Sequence, residues 1–280
     1  MPRLERQVAF LTGAGAGIGR ATALAFAREG ARIAVVDLDG DAARATAAMA
    51  RQHTDDVICV QADLTDEDAV RRAIDGTAEH FGRLDILFNC AGGSATADGL
   101  IHEMPLPVWQ HTVALNLLNP FLCCKHALPH MLREQAGNIV NVSSHVSLVA
   151  SARPVYSAAK GGLNALTRSL AAQYSAAGIR ANAIACGTIR SQRLLNEQSR
   201  AAGGPGADEA GVKSLNAERA ALRKLYPWSV GDPEDVAAVA LFLASGESRM
   251  INGAVVAAEG GRSAYLRVLP ASDSDHIPLH

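Results

Sequence analysis

The chain has 280 residues, with 26 lysines and arginines against 28 aspartates and glutamates, for a net charge of −2. That length suits one large α/β domain with an ample core, and a charge this close to zero gives no reason to expect nucleic acid or an anionic membrane as a partner. No apolar run reaches membrane-spanning length and the first residues lack a signal-peptide-like apolar stretch. The five cysteines (59, 90, 123, 124 and 186) stand mostly in apolar or strand-end contexts, so a reduced, cytoplasmic protein is expected.

Val8-Ala9-Phe10-Leu11 reads as a buried strand. It feeds Thr12-Gly13-Ala14-Gly15-Ala16-Gly17-Ile18-Gly19, and an alanine-rich helical stretch follows over 20–28. Strand, glycine loop and helix in that order form the layout that holds a dinucleotide pyrophosphate. The glycines permit a tight turn and close backbone approach, and the helix N-terminus supplies N–H groups and positive dipole. The spacing does not meet the G-x-G-x-x-G fingerprint cleanly, so a glycine-rich turn without a ligand is the competing reading.

A second strand, Ile33-Ala34-Val35-Val36, ends on Asp37, about twenty residues past the loop, where a carboxylate can hold a ribose 2′-hydroxyl. Val57-Ile58-Cys59-Val60 leads to Asp63-Leu64, and Asp85-Ile86-Leu87-Phe88 leads to Asn89-Cys90-Ala91-Gly92. Asn138-Ile139-Val140-Asn141-Val142 leads to Ser143-Ser144. Arg180-Ala181-Asn182-Ala183-Ile184 is a sixth strand and Ala254-Val255-Val256-Ala257 a seventh, closed by Glu259-Gly260-Gly261. Helices are expected near 17–29, 41–52, 66–82, 108–134, 154–176 and 233–245. This alternation predicts an α/β fold, a doubly wound parallel seven-stranded sheet flanked by helices. One catalytic domain is expected over 1–262, with a C-terminal tail over 263–280. Residues 188–230 read as a substrate-binding lid, interrupted by Gly203-Gly204-Pro205-Gly206 and carrying an amphipathic stretch over 212–225.

Tyr156 and Lys160 stand four apart in a helical segment, so they share a face. An ammonium about 5 Å from a phenol, at an effective dielectric of about 20, favours the phenolate by about 3 kcal/mol. A tyrosine so placed can give a proton to a carbonyl or take one from an alcohol. A solvated helix pair is the bland alternative.

Taken together, the Thr12–Gly19 loop, Asp63-Leu64, Asn89-Cys90-Ala91-Gly92, Asn116 in Ala114-Leu115-Asn116-Leu117-Leu118-Asn119-Pro120-Phe121, Ser143-Ser144 and Tyr156-x-x-x-Lys160 resemble the short-chain dehydrogenase/reductase superfamily of single-domain Rossmann type, over about residues 6–262. The resemblance implies an NAD-dependent oxidoreductase that interconverts a secondary alcohol, or a hydroxylated ring, and a ketone. It implies Tyr156 as general acid/base, Lys160 beside it and on the nicotinamide ribose, a serine on the substrate oxygen, and Asn116 supporting a water relay. Strand alignment makes Ser144 that serine, although it stands twelve residues before Tyr156, one fewer than usual, while Ser143 keeps the usual spacing. Cofactor contacts are implied for Gly13, Gly15, Gly17, Ile18, Gly19, Asp37 and Leu38. Asp63, Leu64, Asn89, Ala91, Gly92, Gly187 and Ile189 are implied as well, together with Tyr156 and Lys160. A homotetramer or homodimer packed through the helices near 108–134 and 154–176 is implied, with Leu117, Leu118, Phe121 and Leu122 as surplus apolar positions.

Other readings stay open. Asn116 could be a helix-surface amide, Asp63 a turn residue and Asn89 a tie between strand ends. His126 and His130 have the spacing of a metal pair but lack a third ligand, and no metal is expected. His145 could line the substrate space, and Arg190 and Arg193 could meet an anionic substrate or simply be solvated. Cys186-Gly187 stands where the family often has Pro-Gly, Ser191 where it often has threonine, and Glu259-Gly260-Gly261 where it often has Asp-Gly-Gly. Two other functions fit the same residues: an NADPH-dependent carbonyl reductase and a catalytically silent NAD-binding scaffold.

Overall fold

The structure, a computed structural model, describes residues 2–94, 97–190, 228 and 230–264. The strands are β1 Val8–Thr12, β2 Arg32–Asp37, β3 Val57–Gln61, β4 Ile86–Asn89, β5 Gly137–Ser144, β6 Ile179–Cys186, β7 Thr188–Ile189, β8 Val230–Gly231 and β9 Val255–Ala258. The helices are α1 Gly17–Arg28, α2 Gly40–Ala50, α3 Glu67–Phe81, α4 Leu106–Val113, α5 Asn119–Glu134, α6 Pro154–Tyr174 and α7 Pro233–Ala244. Seven strands form one parallel sheet in the order β3-β2-β1-β4-β5-β6-β9. The order reverses between β1 and β4, and a crevice opens there at the carboxyl ends of the strands.

Alternation along each strand builds the two halves of the core. Ala9, Leu11, Ile33 and Val35 face α1, α2 and α7. Val8, Phe10, Ala34 and Val36 face α3, α5 and α6. Every residue of β1 is buried, which is why it reads as an unbroken apolar run.

The expected single helix over 108–134 is interrupted. A π-helical turn, Ala114–Leu118, separates α4 from α5, and the Asn119 N–H reaches the Ala114 carbonyl, five residues back. Pro120 accounts for it. It has no N–H to donate, and in a regular helix its ring would collide with the carbonyl of residue 116. Asn116 sits in the middle of that turn.

The short β7 and β8 were not expected. They pair in parallel, and the Arg190 N–H donates to the Gly231 carbonyl at 2.9 Å. The Arg190 guanidinium is engaged by the Asp232 carboxylate in an ion pair that stays exposed, so the cation is solvated and paired within the chain at once. The two ends of the excursion therefore meet. Ser191, Arg193 and the amphipathic stretch over 212–225 lie outside the described residues, as does the tail beyond 264.

His126 and His130 pin α5 onto α3: His126 Nε2 lies 3.2 Å from Glu67 Oε1, and His130 Nε2 lies 2.8 Å from Asp75 Oδ1. Among the described residues no three His, Cys, Asp or Glu side chains gather as a metal ion would need, and no helix is long and apolar enough to cross a membrane.

Candidate active site

The glycine loop is tied to the sheet by Thr12. Its hydroxyl accepts the N–H groups of Cys90 at 2.9 Å and Ala91 at 3.1 Å, which draws the end of β4 against the loop. Gly13 has φ +61°, and a Cβ there would lie 2.8 Å from Ala91 Cα, so both its backbone and its contact require glycine. Gly17, Ile18 and Gly19 open α1. Ala16 at the cap offers no side-chain acceptor and the first turn holds no acid, which leaves the helix N-terminus suited to a phosphate group.

Asp37 closes β2 beside this loop. Its carboxylate accepts the Gly15 N–H at 2.8 Å and the Asp39 N–H at 3.0 Å. Leu38 is exposed, and its carbonyl accepts from Gln61 Nε2 at 3.1 Å. Arg20, in the first turn of α1, folds back over the loop. Its guanidinium donates to the Gly15 carbonyl, and its Nε donates to Thr46 Oγ1 at 3.0 Å. A first-turn side chain can reach loop carbonyls that the glycines leave uncovered.

Asp63 holds a local turn: its Oδ1 accepts both the backbone N–H of Thr65 at 2.9 Å and the Thr65 hydroxyl at 2.7 Å, and these bonds hold its pKa below the usual carboxylate value. Leu64 next to it is buried. Asn89 is a tie between strand ends. Its amide donates to Asn141 Oδ1 at 2.8 Å and joins β4 to β5 within the protein. Asn141 in turn donates to Thr167 on α6 at 2.9 Å. Gly187 packs against Glu259, whose Cα would lie 2.8 Å from an added Cβ, and Ile189 lies against the core on the α1 side.

The residues expected to handle the proton lie around the ends of β4 and β5. Lys160 is buried to 3% exposure; its Nζ donates to the Val142 carbonyl at 2.8 Å and lies 5.7 Å from the centre of the Tyr156 ring. Burial lowers the Lys160 pKa, while Cys186 and Cys90 nearby act the other way. Asn116 is fully buried, which rules out the surface-amide reading. Its Nδ2 donates to the carbonyls of Gly93 at 2.8 Å and Thr112 at 2.9 Å, and its Oδ1 accepts the Gly93 N–H at 2.9 Å. A Cβ on Gly92 would lie 2.8 Å from Asn116 Oδ1 and 3.3 Å from Lys160 Nζ, so the end of β4, the π turn and α6 converge there and any larger residue would push the Asn116 amide aside.

The two serines divide. The Ser143 hydroxyl turns to α6, donating to the Lys160 carbonyl at 3.3 Å and lying 3.3 Å from Ser147 Oγ. Ser144, the last residue of β5, points to the other side of the strand. The short loop after it is anchored: Ser147 donates to the Ser144 carbonyl at 2.6 Å and accepts from Asn164 Nδ2 at 2.8 Å. His145 is half-buried with Nδ1 3.4 Å from the Cys186 carbonyl, and burial lowers its pKa. Ser147 and Asn164 had no sequence signal as site residues, and the part Thr12 plays in tying the loop to β4 depends on partners 78 and 79 residues away.

A glycine loop at the switch point of a doubly wound sheet, an acid beside it, and a buried lysine under a tyrosine define a dinucleotide-binding oxidoreductase. Comparison with known proteins agrees. The family model described as Enoyl-(Acyl carrier protein) reductase matches residues 13–263. A Bradyrhizobium diazoefficiens protein named “Probable short-chain type dehydrogenase/reductase” is 40% identical over 95% of this chain and 90% of its own. D-threitol dehydrogenase of Mycolicibacterium smegmatis is 38% identical over 92% of this chain and 94% of its own. The crystal structure of levodione reductase superposes with a TM-score of 0.82 at 32% identity, covering 94% of this chain and all of that one (100%). The chain belongs to the short-chain dehydrogenase/reductase family, and it is an oxidoreductase of the kind that works with a nicotinamide cofactor.

Proposed function

We propose that the protein is an NAD-dependent dehydrogenase interconverting a secondary alcohol, or a hydroxylated ring, and the corresponding ketone. The observation that carries this reading is the buried Lys160 ammonium, held by the Val142 carbonyl 5.7 Å from the Tyr156 ring. NAD, when bound, accepts the hydride from the substrate carbon. Tyr156 takes the hydroxyl proton, and Lys160 stabilises the phenolate that does so. Ser144 donates to the substrate oxygen, and Asn116 holds the backbone of Gly93 at the edge of the site. Gly13, Gly15 and the N-terminus of α1 receive the pyrophosphate, and Asp37 receives the adenosine ribose. The similarity to a threitol dehydrogenase and a levodione reductase supports a small alcohol or ketone as substrate.

The test is a panel of secondary alcohols and ketones with NAD and NADP, followed by nicotinamide absorbance. Turnover of at least one alcohol is expected; NAD binding with no turnover across the panel would favour the scaffold reading. Within an active panel, Ser144→Ala should cost far more activity than Ser143→Ala, since only Ser144 is free of the α6 contacts. The reverse order would make Ser143 the catalytic serine.

Assembly as a homotetramer or homodimer is part of the proposal. Of the surplus apolar positions, Leu122 is buried in the core and Leu117 packs on Gly162, whereas Leu118 and Phe121 are exposed together with Leu106 and Trp109. These exposed positions on α4, the π turn and α5 are expected to meet a second copy. Light scattering at micromolar concentration should give a mass at least twice the 29.2 kDa of one chain; a monomer would contradict it.

A further inference from the structure

We propose that Asp98 is the positioning residue that sets Tyr156, a role that rests on the acid/base reading above. The first turn of α6 shows why one is needed. Arg153 stands at the cap and makes no side-chain cap bond, and Pro154, the first helical residue, has no N–H. The Ser157 N–H is satisfied by the Arg153 carbonyl at 2.9 Å. The two that remain, on Val155 and Tyr156, have no acceptor within the helix. Both are taken by one carboxylate from a different part of the chain: Asp98 Oδ1 accepts the Val155 N–H at 3.1 Å and Oδ2 accepts the Tyr156 N–H at 2.8 Å.

Asp98 is buried at 7% exposure, so solvent neither shares nor weakens these bonds. It lies 57 residues before Val155, in the segment between Gly93 and α4. That segment starts at the backbone held by Asn116 and is tied a second time to the helix start, where the Arg153 guanidinium donates to the Ser94 hydroxyl. The backbone nitrogen of the proposed proton-transferring residue is therefore fixed by a carboxylate on the segment that leads from Gly93 to α4. Ordinary capping would need any acceptor at residue 153; here the acceptor is supplied by a loop, so the placement of Tyr156 depends on that loop's being in place.

The test has an arm that needs no substrate and an arm that does. Hydrogen–deuterium exchange of the full chain should show the amides of 155–156 exchanging about tenfold faster in Asp98→Ala, with peptides over 163–174 unchanged; caps of this type are worth about that much. With the panel alcohol oxidised fastest, Asp98→Ala should lower kcat about ten- to a hundredfold, because small misplacement of a reacting group is costly. KM for NAD should stay within about twofold, since a positioning role acts on the transition state and not on cofactor binding. Asp98→Asn keeps one acceptor oxygen but sets an NH2 donor against the other backbone N–H, so it should recover only part of the loss. In a Tyr156→Phe background, Asp98→Ala should cost nothing further. Unchanged exchange overturns the proposal, as does an equal loss in the Tyr156→Phe background or a parallel loss of NAD affinity. A panel with no turnover would defeat the dehydrogenase reading itself, and the exchange arm would still report separately whether Asp98 holds the helix start.

Discussion

Replacing Tyr156 with phenylalanine is expected to remove nearly all turnover while leaving NAD affinity largely intact. The substitution deletes one oxygen and leaves the ring that lies 5.7 Å from Lys160 Nζ. Lys160 keeps its bond to the Val142 carbonyl, and the glycine loop and Asp37 are untouched. What disappears is the group proposed to carry the proton. General acid–base catalysis is worth about 10²–10⁴-fold, and a residue oriented by a buried cation and a fixed backbone belongs at the upper end. Steady-state kinetics and equilibrium NAD binding on the same preparation check the expectation. Retention of more than about a tenth of the activity would remove Tyr156 from its role.

The second large effect is cofactor choice. NAD should exceed NADP by about a hundredfold or more in kcat/KM, the equivalent of about 3 kcal/mol. Asp37 already receives the N–H groups of Gly15 and Asp39 with its two oxygens, so its charge is fixed beside the loop that would take the pyrophosphate. A ribose 2′-phosphate would bring about two negative charges to that place. The neighbouring positions offer no relief: Ala14 and Ala16 lie in the loop and Leu38 follows the acid. Arg20 is the one cation at the loop among the described residues, and it is committed to the Gly15 carbonyl and Thr46. Asp37→Ala should narrow the preference, and adding Leu38→Arg should narrow it further. Equal or better turnover of the unaltered protein with NADP would favour the carbonyl reductase reading, with Arg20 as the residue released to meet the phosphate.

Much of this arrangement was legible because it rests on local chemistry. Buried parallel strands read as apolar runs, the glycine loop as glycines, and Tyr156 and Lys160 as a helical pair, since each depends on neighbours in sequence. The π turn at Asn116 also had a readable cause in Pro120, four residues on, but the amphipathic pattern over 108–134 masked it by continuing across the break. Asp98 carried no signal: an aspartate beside a glycine in a loop reads as a turn, and only the fold brings it to the start of α6. The contact of Arg20 was not legible, because helix periodicity gives the direction of Cβ and not the path of a long side chain, which here curls back to a loop carbonyl. The β7–β8 pair is two residues long on each side, below what alternation can reveal.

That small pair has a consequence for how the protein can change. The backbone bond from Arg190 to Gly231 and the ion pair from Arg190 to Asp232 join the two points of the chain that flank residues 191–229, 39 residues in sequence. With its two ends so joined, a change in the length of that segment alters the closure entropy by only about 0.6 kcal/mol for each doubling. Graft points at 190 and 231 would let a segment of another length be installed without rethreading β6 or β9. Natural diversification and laboratory recombination would meet the same low barrier at the same two residues.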